Sequence, residues 1–323
     1  MSEASLGAAS SPGSVPNRTF DILGVGDADV DIYVEVDRMP RPGEKVAGTH
    51  LGLHPGGVVA NFCAATAKLG LRTALVSVVG DDAFGAIALE DLRGRGVDVE
   101  RVSTLEGAST YLGLVSIDPH GEKALTIAVT SAMFPSAEQV TDADLRETRH
   151  VHLAPFDLGE ALATARRARE VGATVSVDLE PTSMQGDPAL LDELVRTVDV
   201  LLPNSHAIET WLGETPSPET ARHLLSLGPR LVAIGCGADG VIVAVDEEAV
   251  AVPAYVTQVR DTTGAGDVLN ASIVFGWLQG WSAPYIARFA AAAAAHVVAT
   301  LGSRPGQPTL AQVESFLAER GAA

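Results

Sequence analysis

The 323-residue chain is short of cysteine, of cationic side chains and of aromatics, and it contains no long apolar run. Each shortage closes off a class of protein. Two cysteines, Cys63 and Cys236, supply neither a disulfide framework nor metal-ligand spacing, and they read as reduced core thiols of a cytoplasmic protein. Lys and Arg number 22 against 41 Asp and Glu, a formal charge of −19. A general nucleic-acid binder needs a basic surface to displace counterions, and adhesion to an anionic membrane needs one too, so neither partner is expected. No segment reaches the roughly 18 apolar residues of a membrane span. The longest, Phe289 to Ala299, is Ala-rich and broken by His296, and reads as a buried helix. No apolar stretch precedes the first cation, Arg18, as a secretory signal would require.

Hydrophobic residues make up 46%, enough for a sizeable core, and 32 glycines imply tightly packed layers with many turns. Residues 1–17 are Ser, Ala, Gly and Pro without periodicity and read as a disordered tail ahead of one domain over 18–323. Phe20 to Val25 is a short apolar strand, and Asp31 to Val36 alternates like a half-exposed one. Pro40, Pro42 and Gly43 turn the chain before Lys45 to Leu53. A second strand pair spans Thr110 to Asp118 and Lys123 to Val129, turning at Pro119-His120-Gly121. Elsewhere helix and strand alternate. Val58 to Leu69 is a helix stopped at Gly70, Thr73 to Val79 a strand, and Ala83 to Arg95 a helix stopped at Gly96. A helix over Leu158 to Val171 precedes strands at Thr174 to Asp178, Val198 to Leu202 and Leu231 to Cys236, with a helix near Ile208 to Leu212. That alternation predicts an α/β fold, a mostly parallel sheet with helices on both faces. The two early strand pairs, from about 29–55 and 110–130, form an inserted small sheet that covers the site.

The chemistry concentrates in Asp261-Thr262-Thr263-Gly264-Ala265-Gly266-Asp267. Helical spacing begins just after the glycines, at Val268, Leu269, Ser272, Ile273, Phe275 and Trp277. Gly264, Ala265 and Gly266 therefore lie where a loop becomes a helix N-terminus, a place of free N–H groups and positive dipole that attracts anions. A carboxylate at that spot, Asp267, is a poor choice for holding a phosphate and a good one for transferring it. The N–H groups stabilise the moving phosphoryl while Asp267 takes the proton of the attacking hydroxyl. Taken alone, a Gly-x-Gly-Asp string is equally well explained by a capped helix after a flexible turn.

The full string resembles the C-terminal signature of the ribokinase-like (PfkB) carbohydrate kinases. Gly56-Gly57-Val58-Val59-Ala60-Asn61-Phe62-Cys63-Ala64-Ala65, running on to Ala67-Lys68-Leu69-Gly70, resembles their other signature, and order and separation fit over residues 20 to 320. The resemblance implies a three-layer α/β/α fold with a β-sheet lid that excludes water. It implies Asp267 as the base, with Gly264, Ala265 and Gly266 as the anion hole. Gly56, Gly57 and Asn61 become the substrate cradle, and Asp29 a carboxylate on two sugar hydroxyls with Asp27 beside it. Acids after an apolar strand also suit a polyol on their own account, since a carboxylate accepts two hydrogen bonds from a vicinal diol.

ATP and Mg2+ are the implied cofactors. Asn204 stands at the strand end where the family carries Asn-x-x-Glu, but Ala207 replaces the glutamate tied to magnesium, and Glu209 is a doubtful substitute. Gly235, Gly237 and Gly240 resemble the glycine turn beside the nucleotide phosphates, although a β-hairpin explains the same residues. His296 would line an adenine pocket or serve structurally. The backbone of Asp261 and Thr263, with the loop at Gly302, resembles a monovalent-cation site, which implies K+. Arg304 nearby reads equally as a surface residue. The implied activity is ATP-dependent phosphorylation of a primary hydroxyl on a small sugar such as ribose or fructose, by a homodimer joined through its lids. A nucleoside acceptor is an alternative, with Tyr33, Phe62, Tyr111 and Phe134 as aromatic platforms, and a catalytically weak sugar-binding regulator is another. A phosphorylated acceptor would need cations such as Lys45, Arg72 or Lys123.

Overall fold

Runs rich in branched and small residues bury both faces and become inner strands, as in β1 (Phe20–Val25), where Asp21 alone stays part-exposed. The alternating segment β2 (Asp29–Val36) and its neighbour β3 (Gly48–Gly56) leave part of their surface outside. Next come α1 (Val58–Lys68), β4 (Thr73–Gly80), α2 (Ala83–Gly94), β5 (Val102–Leu105), β6 (Leu112–Ile117) and β7 (Lys123–Ala128). The middle third holds α3 (Asp142–Arg146), β8 (Thr148–Leu153), α4 (Leu158–Glu170), β9 (Thr174–Leu179), α5 (Pro188–Thr197) and β10 (Val200–Pro203). Then follow α6 (Ser205–Leu212), α7 (Pro218–Leu225), β11 (Leu231–Gly235), β12 (Val241–Val245) and β13 (Glu248–Val252). The chain closes with α8 (Ala265–Leu278), α9 (Ala283–Val297) and α10 (Leu310–Glu319). The computed structural model describes residues 18–118, 123–246 and 248–321. The expected N-terminal tail and the turn at 119–121 lie outside the described residues.

Nine strands form one sheet in the order β13-β12-β11-β10-β9-β8-β1-β4-β5. Every pairing from β5 to β11 is parallel, and only β12 and β13 run antiparallel at one edge. One apolar cluster, with Val59, Phe62, Leu269, Phe275 and Phe289, packs α1, α8 and α9 on one face. A second, with Leu162, Leu194 and Leu224, packs α4, α5 and α7 on the other. Three layers result. No helix of the described residues is long and apolar enough to cross a membrane.

The remaining four strands make the expected small sheet, in the order β3-β2-β6-β7. Its central pair, β2 and β6, is parallel and its outer pairs are antiparallel. Strand β8 escaped the sequence pattern because TRHVHL carries two histidines and reads as polar. In the fold both rings are buried, and the hydroxyl of Ser176 on β9 lies 2.8 Å from His150 Nε2 and 2.8 Å from His152 Nδ1. Segment 235–240 proved to be the hairpin turn joining β11 to β12, with Gly240 at φ +102 where any side chain would strike the Val252 carbonyl.

Candidate active site

Helix α8 starts at Gly264, in the left-handed region at φ +79, and no side chain caps it. A Cβ on Gly264 would come within 2.6 Å of Ser303, so only glycine fits between the two loops. A Cβ on Gly266 would meet nothing within 4 Å. The first turn of α8 thus opens an uncapped N-terminus onto free space, as an incoming anion requires.

Asp267 stands in that turn, and its Oδ2 accepts the Asn61 side-chain N–H at 2.8 Å. Burial pushes its carboxyl up to about 8, with the Asn61 bond pulling the other way. Asn61 is itself held from behind. Its Oδ1 accepts Ser303 Oγ at 3.0 Å and Arg304 Nε at 2.8 Å, and its backbone carbonyl accepts Gln307 Nε2 at 3.0 Å. Arg304 is no surface residue. It is 2% exposed, pairs with Asp91 at 2.6 Å and donates to the Gly56 carbonyl.

The acidic side of the site is built on β2. Asp29 and Asp31 lie two apart and share one face, and each stands opposite a glycine, Asp29 across from Gly56 and Asp31 across from Gly113. A side chain at either glycine would strike those carboxylates. Asp29 Oδ1 is buried without a hydrogen-bond partner. Burial, then the charges of Asp31 and Asp27, hold its carboxyl well above the usual range, and burial carries Asp31 to about 6. Asp27 has a different part from the one expected. Its two oxygens accept the Val58 and Val59 backbone N–H groups at 3.1 and 3.0 Å, so it caps α1, whose own N-cap residue Gly57 has no side chain. Gly57, at φ +95, lets the Asp27 backbone approach within 2.8 Å of where a Cβ would be.

Beside the backbone of Asp261 and Thr263, where a cation was expected with the loop at Gly302, the Asp261 carboxylate is already engaged. Asp261 Oδ1 pairs with the Lys123 ammonium and accepts the Thr263 N–H at 2.9 Å, and Oδ2 accepts the Gly302 N–H at 2.8 Å. Burial alone would raise Asp261, but these bonds hold it below the ordinary value. The donors filling the carboxylate do not fit a potassium ion there, because Gly302 presents an N–H to it and Lys123 supplies the positive charge.

On the nucleotide side, Asn204 and Gly235 are bridged at the C-terminal ends of β10 and β11, and Gly235 lies against Leu269 of α8. Asn204 caps α6 by accepting the Ala207 N–H at 2.8 Å. Gly237 and Gly240 follow in the hairpin turn, both at positive φ. His296 packs its ring 5.2 Å from Phe316 with Nε2 buried and unpartnered.

The pfkB family carbohydrate kinase profile matches residues 20–310. The chain belongs to that family. A carbohydrate kinase of this kind is an ATP-dependent sugar or nucleoside kinase. It is 31% identical over 301 residues to an ATP-dependent ribose-1-phosphate kinase of Halopiger xanaduensis, covering 93% of this chain and 98% of that one. It is 29% identical over 303 residues to a nucleoside kinase of Methanothermobacter thermautotrophicus, covering 93% and 97%. Arabidopsis thaliana ribokinase, solved with ribose and ATP, superposes with a TM-score of 0.79 at 26% identity, covering 93% of this chain and 99% of that one.

Several groups of this kinase's site carry no sequence signal of their own. Asp31 looked like any alternating strand residue, and its register against Gly113 is what leaves room for its carboxylate. Asp178, buried at the end of β9, accepts the Asn270 N–H at 2.9 Å, and burial holds its carboxyl well above the usual range. Of the aromatic platforms, Phe62 is spent in the core, stacked on His152 at 3.5 Å, and Tyr33 is fully buried and donates to Thr263 Oγ1 at 3.0 Å.

Proposed function

We propose that this kinase transfers the γ-phosphoryl of ATP to a primary hydroxyl of a small neutral polyol, a ribose- or fructose-like sugar. The pairing of Asp267 with Asn61 beside the open turn of α8 carries the reading. Asp267 withdraws the hydroxyl proton, and a carboxyl near pH 8 is well matched to an alcohol at neutral pH. The N–H groups of Gly264, Ala265 and Gly266 hold the transferring group. Asp29, whose Oδ1 finds no hydrogen-bond partner among the described residues, is the acceptor for sugar hydroxyls, and Gly56, Gly57 and Asn61 shape the floor beneath it. Asn204, Gly235, Gly237 and Gly240 stand on the ATP side.

Among the described residues no cluster of three or more His, Cys, Asp or Glu is arranged to hold a metal. We assign Mg2+ to the nucleotide phosphates, which need no such cage, and its role is to neutralise the charge that develops on them. The acidic cluster supports a neutral acceptor over a phosphorylated one, since Asp27 already raises the carboxyls of Asp29 and Asp31, and Asp31 that of Asp29. Arg72 is paired with Asp21 and Lys123 with Asp261, and of the three candidate cations that leaves the exposed Lys45 for a substrate phosphate.

One observation favours a nucleoside acceptor. A cavity of about 230 Å³ lies over the ends of β1 and β8, lined by Gly26, Phe134, Pro135, Pro155 and Phe156. Its two phenyl rings stack at 4.9 Å, and such a wall suits a flat base. A coupled assay of ADP release over pentoses, hexoses, ribose 1-phosphate and nucleosides tests both readings. Turnover confined to phosphorylated sugars would refute them.

We further propose a homodimer through the lids, working in the cytoplasm where Cys63 and Cys236 stay reduced. Strand β7 is a lid edge, and Leu114, Leu125 and Ile127 are exposed on the lid. Light scattering on Leu125→Glu should give a monomer if that edge is the interface.

A further inference from the structure

Lys123 opens β7, the outer strand of the lid, yet its ammonium reaches into the floor of the site. There it pairs with Asp261 and lies 2.9 Å from Thr263 Oγ1, the same hydroxyl that receives the Tyr33 phenol from β2. Asp261 is enclosed, its side chain 0% exposed. It ties two loops together, because one oxygen takes the Thr263 N–H and the other the Gly302 N–H. Backbone bonds from Arg260 and Asp261 to the Val298 carbonyl, at 2.7 and 3.2 Å, close the same knot. Directly after it come Gly264, wedged against Ser303, and the open turn of α8.

An enclosed carboxylate three residues ahead of an anion-binding turn must be neutralised, or it would weaken that turn and pull its loops apart. A mobile ion from solution or a fixed side chain can supply the charge. We propose that Lys123 is a tethered monovalent cation, a lid-borne ammonium that takes the place of potassium at Asp261 and clamps the transfer loop when the lid is down. It is a positioning residue, since it acts on Gly264–Gly266 through Asp261 and Thr263. Two consequences follow from the tether. The wild-type enzyme is indifferent to which monovalent cation is present, and lifting the lid removes the charge that holds the loop. Lid closure and assembly of the anion hole then become one event, which keeps phosphoryl transfer to water low while the lid is open.

The inference rests on the reading of 264–266 as the transfer loop, and the experiment separates the two. Wild type and Lys123→Met are compared in choline chloride and potassium chloride at equal ionic strength, by turnover and by thermal unfolding. Wild type should show the same turnover and Tm in both salts. Lys123→Met should lose at least tenfold in turnover in choline and recover most of it in potassium or ammonium, with its Tm raised by those ions alone. Lys123→Arg, which keeps the charge, should stay cation-independent. Potassium activation of the wild type, or a Lys123→Met enzyme unaffected in choline, would overturn the proposal. A wild type that phosphorylates no acceptor would overturn the transfer reading instead, and the Tm comparison would still decide the fate of the tethered cation.

Discussion

Asn61 on α1 gives its side-chain N–H to Asp267 on α8 at 2.8 Å, across 206 positions of sequence, and it can turn no other way. Its oxygen is fixed by Ser303 and Arg304, so the nitrogen must face the carboxylate. The proposed base, Asp267, therefore keeps one oxygen bonded to Asn61 and has the other to take a proton.

Asp267→Asn should lower kcat by about 10²–10⁴-fold while the fold survives, as steady-state kinetics and circular dichroism would register. The same variant has a stability signature. A carboxyl raised to about 8 in the folded state binds its proton more tightly there than in the unfolded chain, so stability is lost as pH climbs from about 4 to 8. Asp267→Asn removes that loss, and its Tm advantage should grow between pH 5 and pH 9. A Tm difference independent of pH would deny the raised carboxyl.

The free enzyme's kcat/KM should rise with pH through a midpoint near 8, where Asp267 is half ionised, and level off above it. Asn61→Ala removes the bond that lowers that carboxyl. Its rise should therefore move to higher pH, with turnover down by about tenfold or more. An unshifted profile would free Asn61 from the base.

Asp29→Ala should raise KM for the acceptor by about tenfold or more and leave KM for ATP unchanged, because its unpartnered oxygen serves the polyol alone. Equal effects on both substrates would point to a disturbed fold instead.

Arg304→Met should cost about 1–3 kcal/mol in urea unfolding, since it takes a donor from the buried Gly56 carbonyl and leaves Asp91 with Arg95 alone. Arg166→Ala breaks a pair whose members are 53% and 49% exposed and should cost no more than about 1 kcal/mol.

His150 is held neutral by burial, its imidazole pushed down to about 3. Between that value and the ordinary 6.5 the unfolded chain binds a proton that the folded one refuses, so stability falls as pH drops through this window. His150→Gln should flatten that acid slope in denaturation curves taken from pH 7 to pH 4.

What local order dictates was legible in the sequence. The βα alternation, the glycine stops at Gly70 and Gly96, and a carboxylate one residue after a glycine loop all follow from neighbours in the chain, because period, turn conformation and helix dipole act over a few residues. The same reach set the failures. Strand β8 hid behind two histidines that the hydroxyls of Thr174 and Ser176 on the next strand make tolerable, and Arg304 read as surface because its partners, Asp91 and Gly56, are more than 200 positions away. The place of Asp31 depended on a strand register, and the capping role of Asp27 on the docking of α1. Most consequential, Asp261 with Thr263 looked like a seat for a mobile ion until the lid folded Lys123 onto it. Chain order alone determined which groups this protein owns. Their partners were decided by packing, because charge and hydrogen-bond pairing act through a few ångströms of space and not along the backbone.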